Sequence, residues 1–237
     1  MAQLKHASEV LNRVSMDCAD YILTGGLVEA GRIAMGKVFA TLLVGLMLTI
    51  GGGIVCAGPL DEGWAAYDRG DYATAMLLWR PLAEGGNANA QLNLGLVYEH
   101  GDGVSRDYKE AAKRYRLSAE QGEAAAQNQM GSMYAQGQGL NQDYKEAVKW
   151  YRLSAEQGYA DGQSNLGIMY AEGRGVTQDY LRAHMWFNLA ASKLTGAKGQ
   201  RAIHSRDTVA KNLTVTQVIQ AQEMARQCEA RSFKKCD

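Results

Sequence analysis

The sequence predicts an all-α protein: an α/α right-handed superhelical solenoid of about three to four helical hairpins with capping helices. A 36-residue repeat, glycines at fixed phases of that repeat and a scarcity of proline support this prediction. Residues 108–143 and 144–179 are identical at 23 of 36 positions when aligned without gaps. The chain has 27 glycines but only 2 prolines among 237 residues. A fixed period of this length is typical of stacked helical repeats.

The repeat predicts three full copies over residues 72–107, 108–143 and 144–179, with a partial copy over 180–212 and a C-terminal cap over 213–237. Each copy reads as two helices joined by a glycine turn. Asp107 and Asp143 precede Glu110 and Glu146 by three residues, the spacing of a capping box at a helix start. The first helix of the third copy carries its apolar stripe at Ala147, Trp150, Tyr151 and Ala155.

Glycines mark three places in each copy. One set follows the first helix, where a left-handed residue is common after a helix end. A second set forms the return loop after the second helix, which lacks the strand-then-helix context of a nucleotide-binding loop. The third set lies inside the second helix, where glycine costs about 1 kcal/mol relative to alanine. Its recurrence predicts close contact with an aromatic ring of a neighbouring helix; this third set comprises Gly95, Gly131 and Gly167.

Residues 35–57 have the three parts of a secretory signal. Lys37 precedes the apolar run Val38–Ile50, and Val55 and Ala57 stand at the −3 and −1 positions of a cleavage site after Ala57. An uncleaved anchor to the inner membrane is the alternative, because the uncharged segment 38–60 has about the 20 residues needed to span a bilayer. Either arrangement predicts a periplasmic, secreted or membrane-anchored protein.

A signal peptide begins at an initiator methionine, and Met35 is the first residue of the segment 35–57. Residues 1–34 show neither the repeat nor a clear amphipathic period, and we expect them to be a mis-assigned or disordered upstream extension. Cleavage after Ala57 would remove Cys18 and Cys56 and leave Cys228 and Cys236 as a pair. In an oxidising compartment these two can form a disulfide, provided that the last helix ends before Cys236, since eight residues along one helix span about 12 Å.

Composition and residue clusters disfavour several function classes. The 25 basic and 25 acidic residues balance, whereas a general nucleic-acid binder needs many phosphate contacts from Lys and Arg. After the proposed cleavage the chain keeps three histidines, and none is spaced with another His or Cys as a zinc site requires. We therefore expect no catalytic residue, no metal, no cofactor and no nucleic-acid partner; the three histidines are His100, His184 and His204.

Where the repeated copies differ, the differing residues are candidates for partner recognition, although neutral drift is an equal alternative. Arg114 corresponds to Trp150, and Glu123 corresponds to Tyr159. Trp and Arg are favoured anchors of protein interfaces. The predicted partner-binding residues are Arg114, Arg116, Trp150 and Tyr159.

The sequence from about Trp64 to Phe187 resembles the Sel-1-like repeat (SLR) family, a branch of the tetratricopeptide-like helical repeats. The pattern AxxWYxxxAEQGxAxxQxxLGxMYxxGxGVxxD, carried by residues 147–179 and repeated in the two earlier copies, carries the resemblance. The segment RDTVAKNLTVTQVIQAQEMARQC is similar to the closing helices of bacterial exported members.

The resemblance implies a non-enzymatic scaffold that holds unidentified partner proteins of the cell envelope. An alternative is a protein that binds cell-wall fragments, or that binds or hydrolyses β-lactams, as described for some cysteine-rich members. Those members have a cysteine pair in every repeat, and here residues 72–212 contain no cysteine. The β-lactam activity is therefore not carried over to this chain.

Overall fold

The computed structural model describes residues 58–234 and residue 236. The predicted upstream extension, the signal or anchor segment up to Ala57 and its cleavage site lie outside the described residues. Within the described part, no helix combines the length and the apolar character needed to cross a membrane. The chain divides into two units, residues 1–65 and 66–237, and the described part of the first unit is the beginning of helix α1.

The described residues form ten helices and no strand, as an all-α fold requires. Nine of them have 13 to 16 residues, and α1 has 10 residues. They are α1 Pro59–Asp68, α2 Tyr72–Glu84, α3 Ala88–His100, α4 Tyr108–Glu120, α5 Ala124–Gln136, α6 Tyr144–Glu156, α7 Ala160–Glu172, α8 Tyr180–Lys193, α9 Gly196–Ala210 and α10 Val215–Ala230.

Helices α2 to α9 form four consecutive hairpins. We call the first helix of each hairpin the A helix (α2, α4, α6, α8) and the second the B helix (α3, α5, α7, α9). Each A helix packs on its own B helix, and from α4 onwards it also packs on the B helix of the preceding hairpin. Every hairpin thus covers the apolar side of the one before it, which is the stacking expected of a helical repeat protein.

The A helices begin where the sequence predicts, but only half of the expected capping box forms. The Asp107 carboxylate accepts the backbone N–H groups of Lys109 and Glu110. The N–H of Asp107 itself donates to the Tyr98 carbonyl at 2.8 Å, so the Glu110 side chain has no donor to reach back to. Glu110 instead accepts from Arg114. The expectation of a reciprocal box was wrong at this helix, and Asp143 repeats the arrangement, since its N–H donates to the Tyr134 carbonyl.

The glycines inside the B helices lie against aromatic rings of the following A helix, as predicted. A Cβ placed on Gly131 would be 2.5 Å from Cδ1 of Tyr151, and one on Gly95 would be 2.5 Å from Cδ1 of Tyr115. At Gly167 the neighbouring ring is that of Phe187, at 2.9 Å. The rings are buried, and glycine is required because any side chain would occupy their space.

The two C-terminal helices lie in the predicted partial copy and in the predicted C-terminal cap, and they have different places in the fold. Helix α9 is the B helix of the fourth hairpin and packs on α8. Helix α10 begins with a reciprocal capping box between Thr214 and Gln217. It also packs on α8, so that α8 has α7, α9 and α10 as neighbours. Helix α10 therefore folds back over an earlier helix.

Candidate partner-binding face

Arg114 and Trp150 occupy the same position in consecutive A helices, and both are partly buried. The Arg114 Nε donates to the Glu110 carboxylate one turn earlier at 2.7 Å. Trp150 packs against the core cluster built around Ala111, Tyr115 and Met130. Each side chain therefore has one side on the protein and one side towards solvent. Such half-buried side chains are held in place before a partner arrives, which lowers the entropy cost of binding.

Arg116 is engaged in a brace between the two helices of its hairpin. Its guanidinium donates to the hydroxyl of Tyr134 on α5 at 2.9 Å. In the next hairpin Arg152 donates to Tyr170 at 2.8 Å. In the fourth hairpin the donor and the acceptor change helices. Arg206 of the B helix donates to Asn188 of the A helix at 3.4 Å. The recurrence of this contact assigns Arg116 a role in joining the A and B helices.

Tyr159 lies at the N-cap position of α7 and makes no capping hydrogen bond through its side chain. The ring is half-buried. Burial, together with the nearby Asp161 carboxylate, raises the pKa of the Tyr159 hydroxyl. Asp161 accepts a hydrogen bond from Lys198 of α9 at 2.8 Å. Tyr159 thus belongs to the turn between α6 and α7, whereas the other three predicted residues lie on α4 and α6.

Two leucines of the same surface were missed by the sequence analysis. Leu117 and Leu153 are 39% and 45% exposed, and they follow Arg114 and Trp150 by three residues, which places each pair on one side of its helix. The sequence did contain the signal, since Leu153 lies off the buried stripe of Tyr151 and Ala155. We define the outer A face by Arg114 and Leu117 of α4 and Trp150 and Leu153 of α6.

Glutamines connect successive hairpins at the C-terminal ends of the A helices. Gln121 Nε2 donates to Gln91 Oε1 at 2.7 Å, and Gln157 Nε2 donates to Gln127 Oε1 at 2.8 Å. Gln163 is the next acceptor in this series. Its buried Oε1 has no hydrogen-bond partner among the described residues, because the expected donor is replaced by Lys193, which donates to the Gly158 carbonyl at 3.1 Å. The ladder of glutamines ends at this junction.

The segment after α10 returns to the same junction. Helix α10 ends at Ala230, and Ser232 and Phe233 have positive φ angles of 53° and 64°, which is uncommon for residues other than glycine. This sharp turn brings Cys236 back to α10. The structure places the sulfur atoms of Cys228 and Cys236 at bonding distance, with their Cα atoms 5.1 Å apart.

The histidines have three different environments. His100 Nδ1 lies 3.4 Å from the Asp102 carboxylate, and His204 is exposed on α9. His184 is buried in α8, and its Nδ1 has no partner among the described residues. Burial and the positive charge of Arg206 lower the pKa of His184. The described part of the chain brings together no group of three His, Cys, Asp or Glu side chains that could hold a metal ion.

Glu99, Tyr115 and Gln129 form a cluster of polar side chains between the first two hairpins. The Tyr115 hydroxyl donates to the Glu99 carboxylate, which also accepts from Gln129 Nε2 at 3.2 Å. Burial and the negative charge of Glu99 raise the pKa of Tyr115 far above its usual value. The Tyr115 hydroxyl is therefore a permanent donor at neutral pH. These hydrogen bonds connect helices α3, α4 and α5. The three side chains therefore have a structural role in joining the helices.

Stacked two-helix hairpins, a repeated ring-on-glycine contact and a ladder of glutamines define a helical repeat protein. The Sel1 repeat family matches residues 88–123, 124–159 and 160–193. These matched units begin at a B helix and end after the following A helix, half a period away from the hairpins described above. The chain is a Sel1 repeat protein, which suggests an interaction scaffold.

Solved structures with a Sel1-like fold are similar to this chain. The crystal structure of c5321, a protective antigen present in uropathogenic Escherichia coli strains and displaying an SLR fold, is 26% identical with a TM-score of 0.51. The match covers 74% of this chain and 46% of c5321, so the chain spans about half the length of that protein. A Sel1 repeat protein from Oxalobacter formigenes is 33% identical over 53% of this chain and 95% of its own, with a TM-score of 0.47. No curated protein matches the chain.

Proposed function

We propose that this protein is an exported, non-enzymatic scaffold of the bacterial cell envelope that holds partner proteins on the outer A face. The observation that carries the proposal is the combination of variation and exposure on that face. Arg114 and Trp150 are one of the differences between copies that are identical at 23 of 36 positions, and the leucines beside them are exposed. Variable residues beside exposed apolar ones are suited to the recognition of a specific partner.

Export is proposed from the sequence of residues 35–57 and from the cysteine pair. A basic residue, an apolar run and small residues at the cleavage positions are the parts of a secretory signal. Cys228 and Cys236 lie close enough to bond, and such pairs form mainly in oxidising compartments. Anchoring through residues 38–60 is the alternative form of the same proposal.

The alternative of a binder of cell-wall fragments, or of a β-lactam-binding or β-lactam-hydrolysing protein, has no specific observation in its favour. The cysteine pairs on which that analogy depends are missing from the repeats of this sequence. Most buried polar groups of the repeats are used in contacts between helices, as in the bonds of Tyr115 and Gln127. We therefore propose only the scaffold.

Fractionation of cells that express the tagged full chain tests the location, and N-terminal sequencing of the exported protein tests the cleavage. A product that begins at Gly58 supports export with cleavage, whereas a protein found only in the cytoplasm contradicts the proposal. Affinity capture from envelope extracts tests the scaffold role. The variant Arg114→Ala/Trp150→Ala should capture less partner at unchanged helix content, and unchanged capture would remove these residues from the site.

A further inference from the structure

Helix α8 buries side chains whose counterparts on α4 and α6 are exposed or half-buried. Met185 and Trp186 are 0% exposed and Leu189 is 3% exposed. One repeat earlier the same positions hold an exposed lysine, a half-buried tryptophan and the exposed Leu153. The counterparts in order are Lys149, Trp150 and Leu153 on α6, and Lys113, Arg114 and Leu117 on α4. The outer A face is thus covered on α8 and open on α4 and α6.

Helix α10 is the element that covers this face of α8. Both α6 and α8 pack between two B helices, but α8 has α10 as an additional neighbour. Helix α10 turns a row of small residues inward, with Ala221, Ala225 and Cys228 buried. Ala225 and Cys228 belong to the same core cluster as the buried side chains of α8. The protein therefore already contains one helix seated on the outer side of an A helix.

We propose that the outer A face on α4 and α6 is the docking site for an amphipathic helix of a partner protein. This inference rests on the scaffold function proposed above and names the kind of partner. The partner helix packs along the outer A face of α4 and α6 in the way that α10 packs along α8. It buries the exposed side chains of the middle repeats, as α10 buries those of the last hairpin. The covered segment of α8 and the open segments of α4 and α6 occupy the same repeat positions on consecutive A helices.

The residues of the face specify the chemistry of the partner helix. Leu117, Trp150 and Leu153 offer an apolar surface, which requires apolar residues at i, i+3 or i+4 spacing on the partner. Alanine-sized residues at the centre would allow the close approach that α10 achieves. Where α8 has Met185, α6 and α4 have the exposed Lys149 and Lys113, so the partner helix needs acidic residues along its edge.

The two lysines are available for such pairing. Each forms an ion pair with a glutamate three residues earlier, Lys113 with Glu110 at 3.8 Å and Lys149 with Glu146. Exposed ion pairs of this kind contribute little to stability, about 0–1 kcal/mol. Exchange of these weak intrahelical pairs for pairs with an acidic partner therefore costs little. The partner is predicted to be an acidic amphipathic helix with a small-residue apolar stripe.

The test uses a fluorescent peptide with the sequence of residues 214–230, in which Gln222→Glu and Arg226→Glu supply the acidic edge. Its binding to the oxidised full chain is measured by fluorescence anisotropy. The double variant Leu117→Asp/Leu153→Asp should bind at least tenfold more weakly, while melting temperature and helix content stay unchanged. The control variant Gln136→Asp/Asn141→Asp changes exposed residues away from this face and should bind within twofold of the wild type. A peptide with Ala221→Arg and Ala225→Arg should not bind.

Equal binding by both protein variants, or no binding to the wild type, overturns the docking site. Sedimentation provides a further check, since self-association that disappears in the leucine variant would assign the face to a second copy of the chain and contradict a separate partner. Envelope capture with the same variants separates the two proposals. Partner capture that survives Leu117→Asp/Leu153→Asp keeps a scaffold that binds its partner elsewhere and rejects the outer A face as the binding surface. An absence of any captured protein rejects the scaffold itself.

Discussion

The Lys193 Nζ lies 3.8 Å from the centre of the Phe233 ring, and that ring also covers Gly158. A Cβ on Gly158 would be 2.8 Å from Cε2 of Phe233. At the equivalent Gly86 and Gly122, no described atom lies within 4 Å of the same position. The C-terminal segment thus occupies one glycine turn and leaves the two earlier ones open, and the cysteine pair closes the loop that positions it.

Reduction of the full chain should release Phe233 from Gly158. With the disulfide formed, the ring shifts the Hα resonances of Gly158, and treatment with a dithiol reductant should move them towards those of Gly122. NMR of a glycine-labelled sample measures this change. A thiol titration of the untreated protein should find Cys228 and Cys236 unreactive.

The variant Phe233→Leu is the matched control for that prediction, because it removes the ring and keeps both cysteines. Its Gly158 resonances should resemble those of the reduced wild type, and Gly122 should be unaffected in every sample. Because the full chain also contains Cys18 and Cys56, the labelled thiols are located by peptide mapping, and labelling of Cys228 and Cys236 in the untreated protein would refute the disulfide. A Gly158 shift that survives reduction would show that the segment docks without it.

Gly131→Ala should destabilise the protein by about 1–3 kcal/mol, as overpacked core positions do. The new methyl group would meet the Tyr151 ring at 2.5 Å, and this clash outweighs the gain of about 1 kcal/mol in helix propensity. Urea unfolding followed by circular dichroism measures the change. In the Tyr151→Leu background the ring is gone, so the same substitution should be neutral or stabilising. An equal loss in both backgrounds would contradict the contact.

Gln127→Leu should cost about 0.5–1.5 kcal/mol more than Gln163→Leu, the net contribution of the one additional hydrogen bond that Gln127 makes. Gln127 accepts from Gln157 at 2.8 Å and donates to the Ala119 carbonyl at 3.2 Å. Gln163 has only its bond to the Ala155 carbonyl, at 3.4 Å. The two variants make the same chemical change at one repeat position, so each controls for the other. Equal unfolding free energies would argue against the glutamine ladder.

The stability of the protein should fall as the pH drops below about 6.5, the usual pKa of histidine, in part through His184. Burial and Arg206 lower the pKa of His184 in the folded state, so the unfolded chain takes up the proton first. The stabilisation is present above the unfolded-state pKa and is lost towards lower pH. His184→Met should flatten this dependence between pH 7.5 and 5 in urea unfolding. His204→Met on the exposed side of α9 should not, and an unchanged slope in His184→Met would contradict the prediction.

The repeat predicted the helices closely because their ends are set by local residues. The predicted copies 108–143 and 144–179 each contain two helices, and their second helices are α5 Ala124–Gln136 and α7 Ala160–Glu172. The contact of Gly131 with an aromatic ring could also be inferred, since a glycine inside every B helix has a cost that only packing explains. The reciprocal capping box failed because the carbonyl of Tyr98 already accepts the N–H of Asp107, a contact between the ends of a loop.

The candidate site was harder to predict because it depends on which faces the last helix covers. The sequence predicted a C-terminal cap over residues 213–237, but the place of α10 on α8 comes from packing between two helices that are separated in the sequence by α9. Without that placement, Trp150 and Trp186 are equivalent in the sequence. In the structure the first is half-buried and the second is inaccessible. The pairing of Arg116 with Tyr134 likewise appears only when α4 and α5 are brought together.

The unsatisfied Oε1 of Gln163 bears on how the number of 36-residue repeats in such a chain can change. If residues 144–179 were duplicated after Asp179, the inserted helix would end in the glutamine that corresponds to Gln157, and this glutamine would satisfy Gln163. The inserted copy of Gln163 would then lie next to Lys193 and become the unsatisfied one. A chain of any length built in this way carries the same single defect at its last junction, so changes in copy number add no further defect of this kind.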